Sequence, residues 1–163
     1  MLRTATAADF PFIQDQQARP ELEALVAADT IEALRGYIAG ADTELLIWEE
    51  DGPAAFILLA GLRSGSRNTE LRRIVVAEVG RGTGQKVLSA LMERVFERGT
   101  HRLWLDVAAD NPRARAAYAK AGFREEGLLK EAWARRTGDR ADLVIMAILA
   151  SEWRALATPA PPA

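Results

Sequence analysis

Three glycines at alternate positions stand in Val79-Gly80-Arg81-Gly82-Thr83-Gly84, between the β-branched run Ile74-Val75-Val76 and a stretch with helical spacing. Glycines leave backbone N–H groups unshielded, and a following helix turns the positive end of its dipole towards them. Such a turn binds anions, a phosphate or pyrophosphate above all. Two familiar phosphate loops do not fit it. A Walker loop needs G-x-x-x-x-G-K-S/T, whereas Gly84 is followed by Gln85 and Lys86. The dinucleotide pattern G-x-G-x-x-G fails from Gly82, which meets Val87, and from Gly80, which meets Gln85. A second segment able to do chemistry runs from Asp110-Asn111-Pro112 through Ala114 and Tyr118 to Gly122-Phe123.

These residues need elements to hold them. Leu2 to Ala5 reads as a short strand, and Thr6 or Asp9 caps a helix to about Ala18. Glu21–Ala28 and Thr30–Ile38 read as two further helical pieces, with Asp29 as a cap and Gly40 as a stop. Leu45–Trp48 and Ala54–Leu62 form strands around an Asp51-Gly52 turn, and Thr69–Val76 is the strand before the glycine turn. Leu88, Leu91, Met92, Val95 and Phe96 form one apolar helical stripe that ends at Gly99. Arg102–Val107 is a strand, with Leu103 and Leu105 on one face and Trp104 and Asp106 on the other. Pro112 opens a helix to Ala121, stopped by Gly122; Glu125–Ala134 and Asp142–Leu149 are the last strands. The order predicts a mixed α/β single domain in which Thr69–Val107 is a parallel right-handed crossover.

Composition bounds the possibilities. The chain has 163 residues, 49% hydrophobic and 27% charged, with a net charge of −2, so nothing calls for a nucleic-acid partner. It contains no cysteine, which agrees with a reducing, cytoplasmic setting and excludes a cysteinyl intermediate. No apolar run approaches the roughly 20 residues that span a bilayer, and Met1-Leu2-Arg3-Thr4 lacks the apolar core of a signal peptide. A single histidine, His101, excludes multi-histidine metal sites and is read as structural; no metal is expected.

With both motifs in view, the chain resembles the GNAT superfamily of acetyl-coenzyme A-dependent N-acetyltransferases. That family's loop is Arg/Gln-x-x-Gly-x-Gly/Ala, here with Val79 first and Gly82 and Gly84 at the glycines. Its second signature, Asn-x-x-Ala-x-x-x-Tyr-x-x-x-Gly-Phe, matches at Asn111, Ala114, Tyr118, Gly122 and Phe123. The resemblance covers about residues 1–150, with 1–153 expected as the domain and 154–163 as a flexible tail. It implies a mostly antiparallel sheet of about 6–7 strands with a splayed parallel pair and about 4–5 flanking helices.

The resemblance also implies roles. Acetyl-CoA would lie on the backbone of Ile74, Val75 and Val76, with an N–H near Val76 facing the carbonyl oxygen. Gly82, Thr83, Gly84 and Gln85 would hold the pyrophosphate, with Arg81 standing in for the side chain that Val79 lacks. Tyr118 would protonate the departing thiolate, and Asn111 would bind the pantetheine amide or simply cap its helix, a task open to Asp110 too. Asp106 and Glu70 compete as general base; an aspartate in an apolar strand favours Asp106, and pairing with an arginine is its plainer explanation. The expected partners are acetyl-CoA and a primary amine, a small molecule or a protein N-terminus, with no nucleic acid or membrane and a homodimer left open. The Leu-Trp-Leu-Asp-Val strand looks most like the branch of ribosomal-protein N-terminal acetyltransferases. The alternative is a non-catalytic acyl-CoA-binding or regulatory module of the same fold.

Overall fold

The computed structural model describes residues 1–157. Seven strands form one sheet: β1 (Leu2–Thr4), β2 (Thr43–Glu49), β3 (Pro53–Ala60), β4 (Asn68–Val76), β5 (Arg102–Ala108), β6 (Arg124–Ala134) and β7 (Arg140–Leu149). Their order is β1-β2-β3-β4-β5-β7-β6, antiparallel except for the β4–β5 pair. Five helices cover it: α1 (Phe10–Gln17), α2 (Ile31–Ala39), α3 (Thr83–Glu97), α4 (Pro112–Lys120) and α5 (Ala150–Ala157).

The sheet separates two cores. On one face α3 buries Val87, Leu88, Leu91, Met92, Val95 and Phe96 against Leu46, Ile57, Leu103 and Leu105. At about 1.5–3 kcal/mol for each large apolar side chain, this stripe alone anchors the loop in front of α3. On the other face, Phe10 and Ile13 of α1 and Leu34 of α2 pack on Leu45, Ile47, Phe56 and Leu58. Odd and even positions of a strand thus feed different cores.

The parallel pair is short. β4 and β5 meet only at Asn68↔Arg102, Thr69↔Leu103 and Glu70↔Trp104. Beyond that point β4 follows β3 to Val76 and β5 follows β7 to Ala108, so the sheet forks. A bulge at the fork leaves Arg72 without a partner on β3, since Leu59 pairs Leu71 and Leu58 pairs Arg73. A bulge bends its strand, which here turns β4 away from β5.

Three local readings are corrected. Glu21–Ala28 is not a helix: a single tight turn, Pro20–Leu22, is followed by irregular chain. Contacts at both ends explain this, because Arg19 donates to the carbonyls of Val76 (2.9 Å) and Ala77 (3.0 Å), while Asp29 is drawn to Arg73. Asp29 therefore does not cap α2; Thr30 does, its Oγ1 accepting from the N–H of Ala33 at 3.1 Å. Helix α5 went unread, and it carries the chain past Arg154, where the tail was expected to begin. The tail expectation for 158–163 lies outside the described residues.

Candidate active site

The fork exposes backbone. The N–H of Ala77 donates to Ala54 at 2.8 Å, and ladder alternation then turns Val75 towards β3 and Ile74 and Val76 towards the gap. The N–H groups of Ile74 and Val76 thus face a cleft of about 740 Å³ between β4 and β5. That volume lies within the range of small-molecule sites, roughly 300–1,000 Å³.

At the mouth of the cleft, the glycine turn becomes the N-terminus of α3. Gly80 (φ 91°) and Gly82 (φ 79°) lie in the left-handed region that favours glycine. The Gly82 carbonyl accepts from Gln85 (3.1 Å) and Lys86 (3.3 Å), whereas the N–H groups of Gly82, Thr83 and Gly84 have no acceptor among the described residues. A Cβ at Gly84 would meet nothing within 4 Å, so the space in front of these donors is open. Free donors, open space and a helix dipole suit an anion such as a phosphate or pyrophosphate. Thr83 is buried, and the Gln85 amide donates to the Ala117 carbonyl (2.9 Å), tying α3 to α4.

The nearby cations are distributed differently from expectation. Arg81 points away into solvent, paired with Glu78 at 2.8 Å, and does not line the cleft. Arg113 lines it and makes no ion pair among the described residues. Its position, two residues after Asn111, is the signal that could have singled it out.

From α4, Tyr118 and Asn111 reach the cleft. The Tyr118 ring packs on Phe123, centroids 5.8 Å apart, and its hydroxyl makes no hydrogen bond among the described residues. Burial, and secondarily the charge of Asp106, push its phenol well above the ordinary range, so it stays protonated. The Asn111 Oδ1 accepts from Ala114 N–H at 3.1 Å, so Asn111 is the helix cap and only its NH₂ remains for a ligand. Asp110 does not cap; it pairs with Arg135.

The two carboxylates differ sharply. Glu70, at the last paired position of the fork, is held by Arg72 at 2.7 Å. Asp106 stands two residues past its strand's last contact with β4, turned into the cleft with no hydrogen bond or ion pair among the described residues. The arginine-pairing explanation therefore applies to Glu70, not Asp106. The surroundings of the cleft raise the Asp106 carboxyl above its ordinary value, chiefly by desolvation and then by the charge of Glu70, with Arg72 opposing. The cleft is also lined by Arg19, Arg72 and Trp133, which sequence reasoning missed because strand bulges and long-range contacts place them.

A forked, mostly antiparallel sheet with a glycine turn at the N-terminus of α3 places the chain among mixed α/β proteins with an anion-accepting cleft. The chain belongs to the acetyltransferase (GNAT) family, whose model matches residues 5–123. It is 37% identical over 68 residues to the [ribosomal protein bS18]-alanine N-acetyltransferase of Haemophilus influenzae, covering 42% of this chain and 46% of that one. The chain thus spans about half the length of that relative. A probable glucosamine 6-phosphate N-acetyltransferase 2 of Oryza sativa subsp. japonica is 32% identical over 116 residues, 64% of this chain and 68% of the relative. The fold is shared with spermidine N-acetyltransferase of Vibrio cholerae, solved with CoA and spermine: TM-score 0.84, 22% identity, 94% of this chain and 97% of that one. Among the described residues no group of acidic or histidine side chains could hold a metal, and no helix is long and apolar enough to cross a membrane.

Proposed function

We propose that this chain, its catalytic domain extended from the expected residues 1–153 to the end of α5, is an N-acetyltransferase that moves an acetyl group from acetyl-CoA directly to a primary amine. One observation carries the reading: a single cleft joins unpartnered N–H groups at Gly82–Gly84 to an unpaired carboxylate at Asp106. Acetyl-CoA supplies an acyl group already activated as a thioester. Gly82, Thr83 and Gly84 hold its pyrophosphate with Arg113 alongside, the Asn111 NH₂ and the backbone of Ile74–Val76 receive its amide-bearing arm, and Tyr118 stands over the sulfur. Arg113 replaces Arg81 in this role.

An alkyl ammonium with a pKa of about 10.4 must lose a proton before it can attack. Asp106 takes it, directly or through a water; Glu70 is committed to Arg72 and sets the local charge instead. As the C–N bond forms, the N–H of Val76 faces the oxygen that gains negative charge. As the C–S bond breaks, Tyr118 donates its proton to the sulfur. The proton that Asp106 takes from the ammonium passes to solvent. The second proton, shed by the nitrogen as the amide forms, replaces through cleft solvent the one Tyr118 gave, so ammonium and thioester become amide, thiol and one released proton. The cytoplasm, which lacks disulfide pressure and suits a cysteine-free chain, is the compartment that fits.

Titration calorimetry with acetyl-CoA and CoA, paired with thiol release across a panel of amines, tests the reading. Binding with amine-dependent thiol release supports it. Binding without transfer to any amine favours the non-catalytic acyl-CoA-binding module, and no binding overturns both.

A further inference from the structure

The acceptor end of the cleft is walled by apolar side chains around one uncompensated charge. Residues paired across strands share a face of the sheet. The pairs Asp106↔Ile145, Ala108↔Leu143 and Trp133↔Ala141 therefore set Asp106, Leu143 and Trp133 on one face, opposite the core beneath α3. Trp133 reaches the cleft because β6 bulges before it: Leu129 pairs Leu143 and Trp133 pairs Ala141, leaving Lys130, Glu131 and Ala132 opposite Asp142 alone. Glu131 there has φ 48°, held by its N–H to the Asp142 carboxylate (2.7 Å) and by Arg140 on its carbonyl (3.0 Å). The Arg135 guanidinium covers the indole from 5.6 Å. The facing wall is Leu22, Leu25 and Val26, on the irregular segment stretched between Arg19 and Asp29.

Charge on this face is almost fully paired. Arg19 holds Glu21, Arg72 holds Glu70 and Arg73 holds Asp29. Asp106 is left as the cleft carboxylate without a cationic partner among the described residues. A polycation would set its further charges against Trp133 and the leucines with no carboxylate to receive them. A sugar phosphate would need an uncommitted cation, yet Arg19, Arg72 and Arg73 each hold an acid, and Arg113, unpaired among the described residues, is engaged by the coenzyme's pyrophosphate in the proposed reading.

Resting on the acetyltransferase reading, we infer that the acceptor is a primary amine bearing one positive charge and an apolar, aromatic-sized body. Asp106 receives the ammonium, and Trp133 with Leu25 and Leu143 encloses the body. Either a small arylalkylamine or a polypeptide N-terminus with an apolar first residue has this chemistry. Trp133 is the residue that sets the preference.

The test is titration of the CoA-saturated protein with phenethylamine, a leucine-initiated tetrapeptide, spermidine and glucosamine 6-phosphate. Binding is read without turnover, so failure of the chemistry and failure of this inference separate. Phenethylamine or the tetrapeptide should bind at least tenfold more tightly than the other two, and the tighter of the pair identifies the source. Trp133→Ala should weaken that ligand about tenfold and leave CoA affinity unchanged, with Trp133→Phe retaining most of the binding. Preference for spermidine or the sugar phosphate would overturn the inference, as would unchanged amine binding in Trp133→Ala. If the amine order holds but acetyl-CoA yields no acetylated product, the acetyltransferase reading fails while the binding preference stands.

Discussion

Replacing Asp106 by Asn removes the carboxylate from the fork while keeping its size. Asp106 faces the cleft and makes no hydrogen bond or ion pair among the described residues, so the fold loses nothing specific. Stability in urea should change by no more than about 0.5 kcal/mol. The rate should not be spared: loss of a general base costs about 10²–10⁴ in kcat, or roughly 3–5 kcal/mol of barrier. Thiol release at saturating acetyl-CoA measures this, and the KM for acetyl-CoA should stay unchanged. The pH profile adds a sign. Asp106 works as the carboxylate, and its pKa is raised by desolvation first and by Glu70 second, against Arg72. Activity should therefore fall off as pH drops through a value above the ordinary aspartate figure of about 3.9. Glu70→Gln removes a repelling charge and should move that acidic limb to lower pH while activity persists. A D106N variant that keeps more than about a third of its rate would refute the reasoning, a change far below the loss expected for a base. So would a Glu70→Gln variant that is as inactive as D106N, which would make Glu70 the base.

Tyr118→Phe should lower kcat by about 10² with the acetyl-CoA KM unchanged, because the ring contact with Phe123 survives; stopped-flow thiol release checks it. Gly84→Ala should leave thermal stability unchanged or raise it by up to about 1 kcal/mol while weakening CoA in calorimetry, since its Cβ enters the open space before the free N–H groups. Arg113→Ala should weaken CoA binding and flatten its salt dependence, and Arg81→Ala should do neither, because Arg81 is exposed, paired with Glu78 and does not itself line the cleft. Asp9, buried and held by two guanidinium hydrogen bonds from Arg3, has its pKa lowered chiefly by that contact. Its stabilisation is present above the ordinary carboxylate pKa and is lost as pH falls through the depressed one. Asp9→Ala should cost about 2 kcal/mol in urea melts at pH 7 and show less of this acid-side loss.

Local chemistry made some elements legible and long-range contacts hid others. The stripe Leu88–Phe96 announces α3 because one helical face must be buried, and the glycines before it announce a positive-φ turn. Gly122 could be read as a helix stop; its deeper reason, φ 105° with Leu156 and Ile148 where a Cβ would sit, needs the unread helix α5. Glu21–Ala28 has helical composition, yet Arg19 and Asp29 are claimed by β4, more than forty residues away in sequence. Arg81 sits in the motif and Arg113 beside it, and only the ion pair with Glu78 separates their fates. Between the carboxylates the apolar strand already favoured Asp106 slightly, and the structure separates them, since Arg72 beside the bulge holds Glu70 and leaves Asp106 without a partner among the described residues.

Mass spectrometry of an amine panel incubated with the protein and acetyl-CoA bears most directly on the proposed function. Acetyl transfer predicts an amine heavier by one acetyl group and one equivalent of free thiol per product, formed at least about a hundredfold more slowly by Asp106→Asn but not by Arg81→Ala. Tight acetyl-CoA binding with no acetylated amine, or transfer by Asp106→Asn at more than about a third of the unaltered rate, would contradict it.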